Sequence, residues 1–345
     1  MLSRMISKSL VSRSAVRTAS AATWQQVMKE AVRDAGKLCR LLELSEEFVT
    51  QAAQAAEHFP VFVPRPFLAR MRHGDPADPL LLQVLPQNPE TATVPGFTVD
   101  PVGDLFATLQ PGLLQKYHGR VLMVTTGACA VHCRYCFRRH FPYSQAPRSL
   151  TDWQPAFEQI EADDSIHEVI LSGGDPLTLV DSLLAQLADR LAQIPHLRRI
   201  RLHTRLPIVI PQRITAELLN WLTATRLTPM VVVHINHPNE IDAAVIAALE
   251  RLLDAGVPLL NQAVLLRGVN DSADVLTQLC EQLVNLRVLP YYLHQLDRVA
   301  GAAHFEVPIA RGQQIIAELQ TRLPGYAVPR YVQEIPGREH KVDLM

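Results

Sequence analysis

From Arg120 onward the chain alternates two patterns. Short apolar runs rich in β-branched residues occur at 121–126 (VLMVTT), 168–173 (EVILSG), 198–204 (RRIRLHT), 230–236 (MVVVHIN), 258–266 (PLLNQAVLL) and 288–296 (VLPYYLHQL). Between and after them, apolar positions recur at helical spacing over 152–162, 181–194, 212–224, 240–254, 273–286 and 308–321. Six strand–helix units in succession predict parallel strands with right-handed crossovers. Strands that read as near-continuous apolar runs fit a sheet covered on both faces. Six units are two short of a closed eight-stranded barrel, so the expected fold is α/β, an open (β/α)6 partial barrel. In such a fold reactive residues gather at the carboxyl ends of the strands.

The N-terminal part has a different rhythm. Residues 23–58 carry helical periodicity through Val27, Ala31, Leu38, Leu41 and Leu42. Ser45, followed by Glu46 and Glu47, reads as a helix N-cap with acids in the first turn. Residues 59–112 are proline-rich but still apolar, which predicts a packed, irregular connection with short helices. Residues 1–22 are rich in Ser and basic residues, and no acid precedes Glu30. That bias fits a targeting-like segment, a disordered extension or a misplaced start. The expected organisation is therefore an extension over 1–22, a helical and irregular layer over 23–112, and a core over 113–345.

Composition narrows the function classes. Lys and Arg total 33 against 34 Asp and Glu, so no global basic field exists to hold a nucleic acid. No apolar run approaches the roughly 20 residues of a membrane span. Of the five cysteines, Cys39 and Cys280 stand alone in helix-like apolar stretches and read as core fillers. An odd, low count argues against a secreted disulfide scaffold.

The remaining three form Cys129-Ala-Val-His-Cys133-Arg-Tyr-Cys136, just after the first expected strand. Thiolates at this spacing can hold three irons of a cubane 4Fe–4S cluster and leave the fourth open to a ligand. A zinc site is the alternative, with His132 or His140 completing the shell, although neither stands at a usual zinc spacing. The second motif, Leu171-Ser172-Gly173-Gly174-Asp175-Pro-Leu177, ends the second strand. Its glycines permit close backbone approach to a ligand, or simply make a strand-end turn.

The cysteine motif in that place resembles the radical S-adenosylmethionine (SAM) enzymes. More of the chain, from about residue 23, resembles one family within them, the lysine 2,3-aminomutases. CRYCFRRHFPY, SGGDPL, RLPIVIPQRIT, HINHPNE, LLNQAVLLRGVND, PYYLHQLD and GREHK carry the resemblance in order. It extends to the short bacterial type that supplies β-lysine for modification of translation elongation factor P. The resemblance implies a 4Fe–4S cluster on Cys129, Cys133 and Cys136, and SAM contacts at Tyr135, Ser172, Gly173, Gly174, Asp175, His234 and Gln262. It implies a second cofactor, pyridoxal 5′-phosphate (PLP), joined to Lys341 as an aldimine. Lys341 is the only lysine after Lys116. Lys116 and Arg120 would grip the PLP phosphate. Arg138 would take the substrate carboxylate, and Asp297 with Glu334 its distal ammonium. Glu334 replaces a family aspartate, and Lys116 an arginine.

The activity so implied is a 2,3-amino shift converting L-lysine to β-lysine, an isomerase reaction needing a one-electron reductant and a reducing, cytoplasmic setting. The chain ends four residues beyond Lys341, and Ser272 stands where the long aminomutases place a zinc-ligating cysteine; both features favour the short type. His237 and Asn239 are read as a turn and helix cap. Two other classes stay open at this level: a radical SAM enzyme of other chemistry without PLP, and a non-enzymatic metal-binding module of the same pathway.

Overall fold

The structure is a computed structural model that describes residues 22–57 and 59–345. The segment over 1–22 lies, except for its last residue, outside the described residues. Among the described residues five short helices come first: α1 (Trp24–Lys29), α2 (Ala35–Leu41), α3 (Glu46–Ala55), α4 (Arg65–Leu68) and α5 (Pro79–Leu82). Thr23 begins α1 with a capping box to Gln26, and Asp34 caps α2 through the Lys37 amide. Ser45 does occupy the N-cap position of α3, but its hydroxyl makes no capping bond. Glu46 and Glu47 in the first turn leave α3 with only their favourable dipole interaction there.

A single ten-stranded sheet follows, with its strands in chain order. β1 (Thr108–Gln110) and β2 (Leu113–Tyr117) lead into β3 (Arg120–Thr126) as an antiparallel meander. Then come β4 (Glu168–Gly173), β5 (Arg199–Thr204), β6 (Thr228–His234), β7 (Leu259–Val264), β8 (Leu289–His294), β9 (Arg330–Gln333) and β10 (Val342–Asp343). β3 to β9 are all parallel, and β10 turns back antiparallel on β9. The helices between them are α6 (Gln154–Ala162), α7 (Asp181–Ala192), α8 (Leu206–Val209), α9 (Ala216–Ala224), α10 (Ala243–Asp254), α11 (Ala273–Asn285) and α12 (Ile309–Arg322). The six expected strand–helix units are present. The parallel array has a seventh member, β9, which carries Glu334 just past its end.

The strands bury residues on both faces, such as Val169, Ile170 and Leu171 in succession on β4, because helices cover one face and the other closes around a cavity. Trp24, Leu38 and Phe67 of the N-terminal layer belong to the same hydrophobic cluster as Leu202 and Val231 of the sheet. Cys39 and Cys280 are buried free thiols, as expected of core fillers. Among the described residues no helix is long and apolar enough to cross a membrane.

Candidate active site

The carboxyl ends of the strands open into one cavity of about 810 Å3. The cysteine loop continues β3 and forms part of its wall. The end of β4 holds that loop from beneath: Gly174 N donates to Thr126 O at 2.7 Å and Asp175 N to Ala128 O at 2.7 Å. The glycines are needed for this approach. A Cβ on Gly174 would lie 2.1 Å from Ala128 O, and one on Gly173, whose φ is +126°, 2.5 Å from Thr126 O. Their immediate task is thus to seat one loop on another. Asp175 is similarly engaged. Its carboxylate accepts from Thr204 Oγ1 at 2.7 Å and from the amides of Arg205, Leu177 and Leu206 at 2.7, 3.0 and 3.2 Å.

Cys129, Cys133 and Cys136 all face the cavity. Burial and the neighbouring thiols raise the pKa values of Cys129 and Cys136, the latter to about 11. Ligation by a cluster would expel these protons. Among the described residues no three His, Cys, Asp or Glu side chains close on a single metal ion. His132 Nδ1 lies 2.9 Å from Pro60 O, and His140 Nε2 3.1 Å from Ala300 O, so both candidate zinc donors are tied to backbone carbonyls. Three thiols on one loop against a shared cavity suit a polynuclear cluster better than a closed zinc shell.

The expected SAM residues line the same cavity: Tyr135, Ser172, Gly173, Gly174, Asp175, His234 and Gln262. His234 at the end of β6 is held neutral, its pKa pushed down to about 3 by burial and then by Arg205. Gln262 Nε2 of β7 stands 3.0 Å from His234 Nε2, so the imidazole accepts there. His237 and Asn239 make the turn expected of them, with the Asn239 amide donating to His237 Nδ1 at 3.1 Å.

The remaining expected residues form a charged group in that cavity. Lys341 Nζ donates to Glu334 Oε2, and Lys116 Nζ lies 3.2 Å from Glu334 Oε1. Lys116 also meets Asp104 Oδ1 at 2.6 Å and Val102 O at 2.8 Å. Asp104 in turn accepts from Arg138 Nε at 2.6 Å, and Arg138 reaches Ser172 Oγ at 3.4 Å. Burial alone would raise the acid pKa values, but the cations outweigh it and hold Asp104 and Glu334 each at about 2. Among the described residues no cation lies within ion-pair distance of Asp297, although Lys341 and Lys116 act on it from farther off. Burial, and then the Glu334 carboxylate, push it up to about 7. Arg120 instead lies with its guanidinium 4.6 Å from the centroid of the Tyr117 ring. Lys341 offers an amine inside the cavity, and Arg120 a cation not drawn into the carboxylate group. That donor set fits PLP.

Sequence reading missed Asp104, Arg205, His203 and His294, which also line the cavity. Asp104 is a lone acid in a proline-rich stretch and gives no signal. Arg205 opens the segment RLPIVIPQRIT, whose local pattern marks no role for it. His203 and His294 were the polar residues at the ends of apolar strands, a signal that could have been used.

The Radical SAM superfamily pattern matches residues 123–279. The chain is 46% identical over 318 residues to L-lysine 2,3-aminomutase of Haemophilus influenzae, covering 92% of this chain and 94% of that one. It is 45% identical to the L-lysine 2,3-aminomutase of Escherichia coli, covering 95% and 96%. Against the protein of that name from Clostridium subterminale, identity is 35%, with 93% of this chain and 77% of that one covered.

Proposed function

The chain belongs to the L-lysine 2,3-aminomutase family of the radical SAM superfamily, and from that premise we propose that it converts L-lysine to β-lysine. The observation that carries the reading is the convergence of three cluster-type thiols and the Lys341 amine on one cavity. In the proposed reaction SAM and a 4Fe–4S cluster on Cys129, Cys133 and Cys136 supply a carbon-centred radical, and PLP supplies a π-system that delocalises the unpaired electron.

The protein's part is to bind, orient and exclude. Lys341 anchors PLP, with Arg120 toward its phosphate. Lys116, which the resemblance places on the phosphate as well, is committed to Asp104 and Glu334 and orders those carboxylates. Arg138, held at Nε by Asp104, would present its Nη atoms to the substrate α-carboxylate. Asp297 and Glu334 would take the ε-ammonium, Glu334 through the oxygen that holds Lys341 in this structure. Tyr135, Ser172, Gly173, Gly174, Asp175, His234 and Gln262 form the SAM side, where Asp175 acts by shaping the loop. The depth of the cavity inside the sheet limits the solvent that reaches the radical. The donor of the single electron belongs to a reducing cytoplasm.

Anaerobic protein reconstituted with iron, sulfide and PLP, given L-lysine, SAM and dithionite, should yield β-lysine by mass spectrometry. Protein replete in cluster and PLP that yields none would overturn the assignment. The β-lysine is proposed to pass to a ligase that attaches it to a lysine of elongation factor P, as the resemblance to the short type implies. Elongation factor P from a strain lacking this gene should lose the β-lysyl mass increment; an unchanged mass would sink that link.

A further inference from the structure

We propose that Arg205 is a positioning residue that donates to a sulfur ligand of the iron–sulfur cluster and makes the cluster easier to reduce. The proposal rests on the cluster reading given above. Arg205 follows β5 and precedes α8, and its own amide is fixed on the Asp175 carboxylate at 2.7 Å. Its side chain is buried, with 6% of the residue exposed. Nη1 lies 2.8 Å from Cys133 Sγ and 2.8 Å from the Tyr135 hydroxyl. Nη2 donates to Glu240 Oε2 at 2.9 Å and to Gln83 Oε1 at 2.5 Å. The fork therefore spans the thiol and a carboxylate, and neither end is free to swing away.

The carboxylate is fixed in turn. Glu240 Oε1 accepts from the Asn236 amide at 3.0 Å, the His237 amide at 3.2 Å and Gln83 Nε2 at 3.1 Å. Gln83 comes from the N-terminal layer and also stands 3.3 Å from the Tyr135 hydroxyl. Thus the layer, Glu240 and β5 together aim one guanidinium at one cysteine.

When Cys133 ligates iron, its sulfur is a thiolate with lone pairs available to that N–H. Donation withdraws electron density from the iron–sulfur bond, and the adjacent positive charge favours the state holding the extra electron. Burial leaves little water to screen either effect. Glu240 opposes the charge from farther out, so the sulfur feels the guanidinium first. A cluster that must pass one electron to SAM needs its potential placed within reach of a cellular donor, and Arg205 is placed to set it.

The test is an EPR-monitored redox titration of reconstituted protein without SAM. Three variants are compared with the unaltered chain: Arg205→Gln, Glu240→Gln, and the two together. The double variant removes both charges and leaves no lone buried ion. Arg205→Gln and the double variant should hold iron near the unaltered level but show a more negative midpoint potential. Glu240→Gln should shift it the other way or leave it unchanged. Potentials that stay together with clusters intact would overturn the proposal. So would iron loss in Arg205→Gln that the double variant does not restore, since Arg205 would then be holding the loop rather than tuning the cluster. If the unaltered chain assembles no 4Fe–4S cluster, the cluster reading itself fails.

Discussion

Glu334 holds Lys341 through one carboxylate oxygen and Lys116, at 3.2 Å, through the other. Lys116 is pinned from its far side by Asp104 at 2.6 Å, so the glutamate cannot follow Lys341 away without losing Lys116. Removing the charge with Glu334→Gln takes away a charge-assisted bond of about 1.5–3 kcal/mol. KM for lysine should therefore rise on the order of 10- to 100-fold, while PLP still loads. Steady-state kinetics beside the PLP absorbance separate the two effects. An unchanged KM would remove Glu334 from the substrate site.

Lys341 is the only lysine after Lys116 and its amine lies in the cavity. Lys341→Ala should abolish the visible band of lysine-bound PLP and reduce β-lysine formation to the background of the assay. The brown cluster absorbance and the iron content should persist, because the cysteine loop does not depend on β10 or its lead-in. Turnover in Lys341→Ala would show that PLP is held elsewhere or not used.

Asp297 gives the reaction a pH dependence of definite sign. Its pKa is pushed up to about 7, first by burial and then by Glu334, so it carries a proton below that pH. Only the ionised form pairs with an ammonium. KM for lysine should fall as pH rises through about 7, whereas in Asp297→Asn it should be higher and flat across that range. For folding the sign is opposite: a carboxyl pKa raised above its unfolded value gives stability that is present at low pH and lost as pH rises through about 7. A melting temperature that increased over that interval, with the Asn variant as reference, would contradict the assignment.

The barrel was legible because buried parallel strands write themselves as continuous apolar runs, and the six expected runs became β3 to β8. β1, β2, β9 and β10 were not legible. They are short, and RYVQ or VD acquires strand character only from the neighbour it pairs with. The cysteine loop, Ser172 to Asp175, His234 and Asp297 converge because they lie at or just past carboxyl strand ends, which a parallel topology brings to one rim, whereas Lys116 and Arg120 join them from β2 and the start of β3 because the cavity runs down inside the sheet. Asp104 was invisible for the opposite reason. It reaches Arg138 and Lys116 only because the proline-rich segment folds over the rim, a tertiary event with no local periodicity.

Gly174 isolates close approach from backbone strain. Its φ is not in the left-handed region, so an added Cβ matters only through Ala128 O at 2.1 Å. Gly174→Ala should displace the cysteine loop at a cost of about 1–3 kcal/mol, typical of overpacking. Iron retained per chain after reconstitution should drop along with the melting temperature. Gly256 is a suitable comparison, since a Cβ there meets nothing within 4 Å and only its φ of +80° resists. Gly256→Ala should lower the melting temperature while leaving iron content unchanged. Equal iron content in both variants would show that the β4 end does not support the cysteine loop.

The N-terminal layer should prove indispensable to the cysteine loop through one buried ion group. Arg134, between Cys133 and Tyr135, is fully buried and pairs with both oxygens of Glu90, at 2.8 Å from Nε and 2.6 Å from Nη2. Arg139 shares the same carboxylate at 3.0 Å. The Arg134 amide donates to Gln83 O at 2.9 Å and Nη1 to Phe59 O at 2.8 Å, so the amide and the guanidinium of this residue donate only to the layer. Glu90→Gln strands two guanidinium groups next to each other with no counter-charge, and breaking a buried pair in this way costs about 3–5 kcal/mol. The melting temperature should fall accordingly, and the loop, freed of its anchor, should lose cluster faster on dilution. Chemical denaturation and the rate of iron release to a chelator measure the two. A loss under about 1 kcal/mol, the range of an exposed pair, would mean that the layer merely covers the barrel.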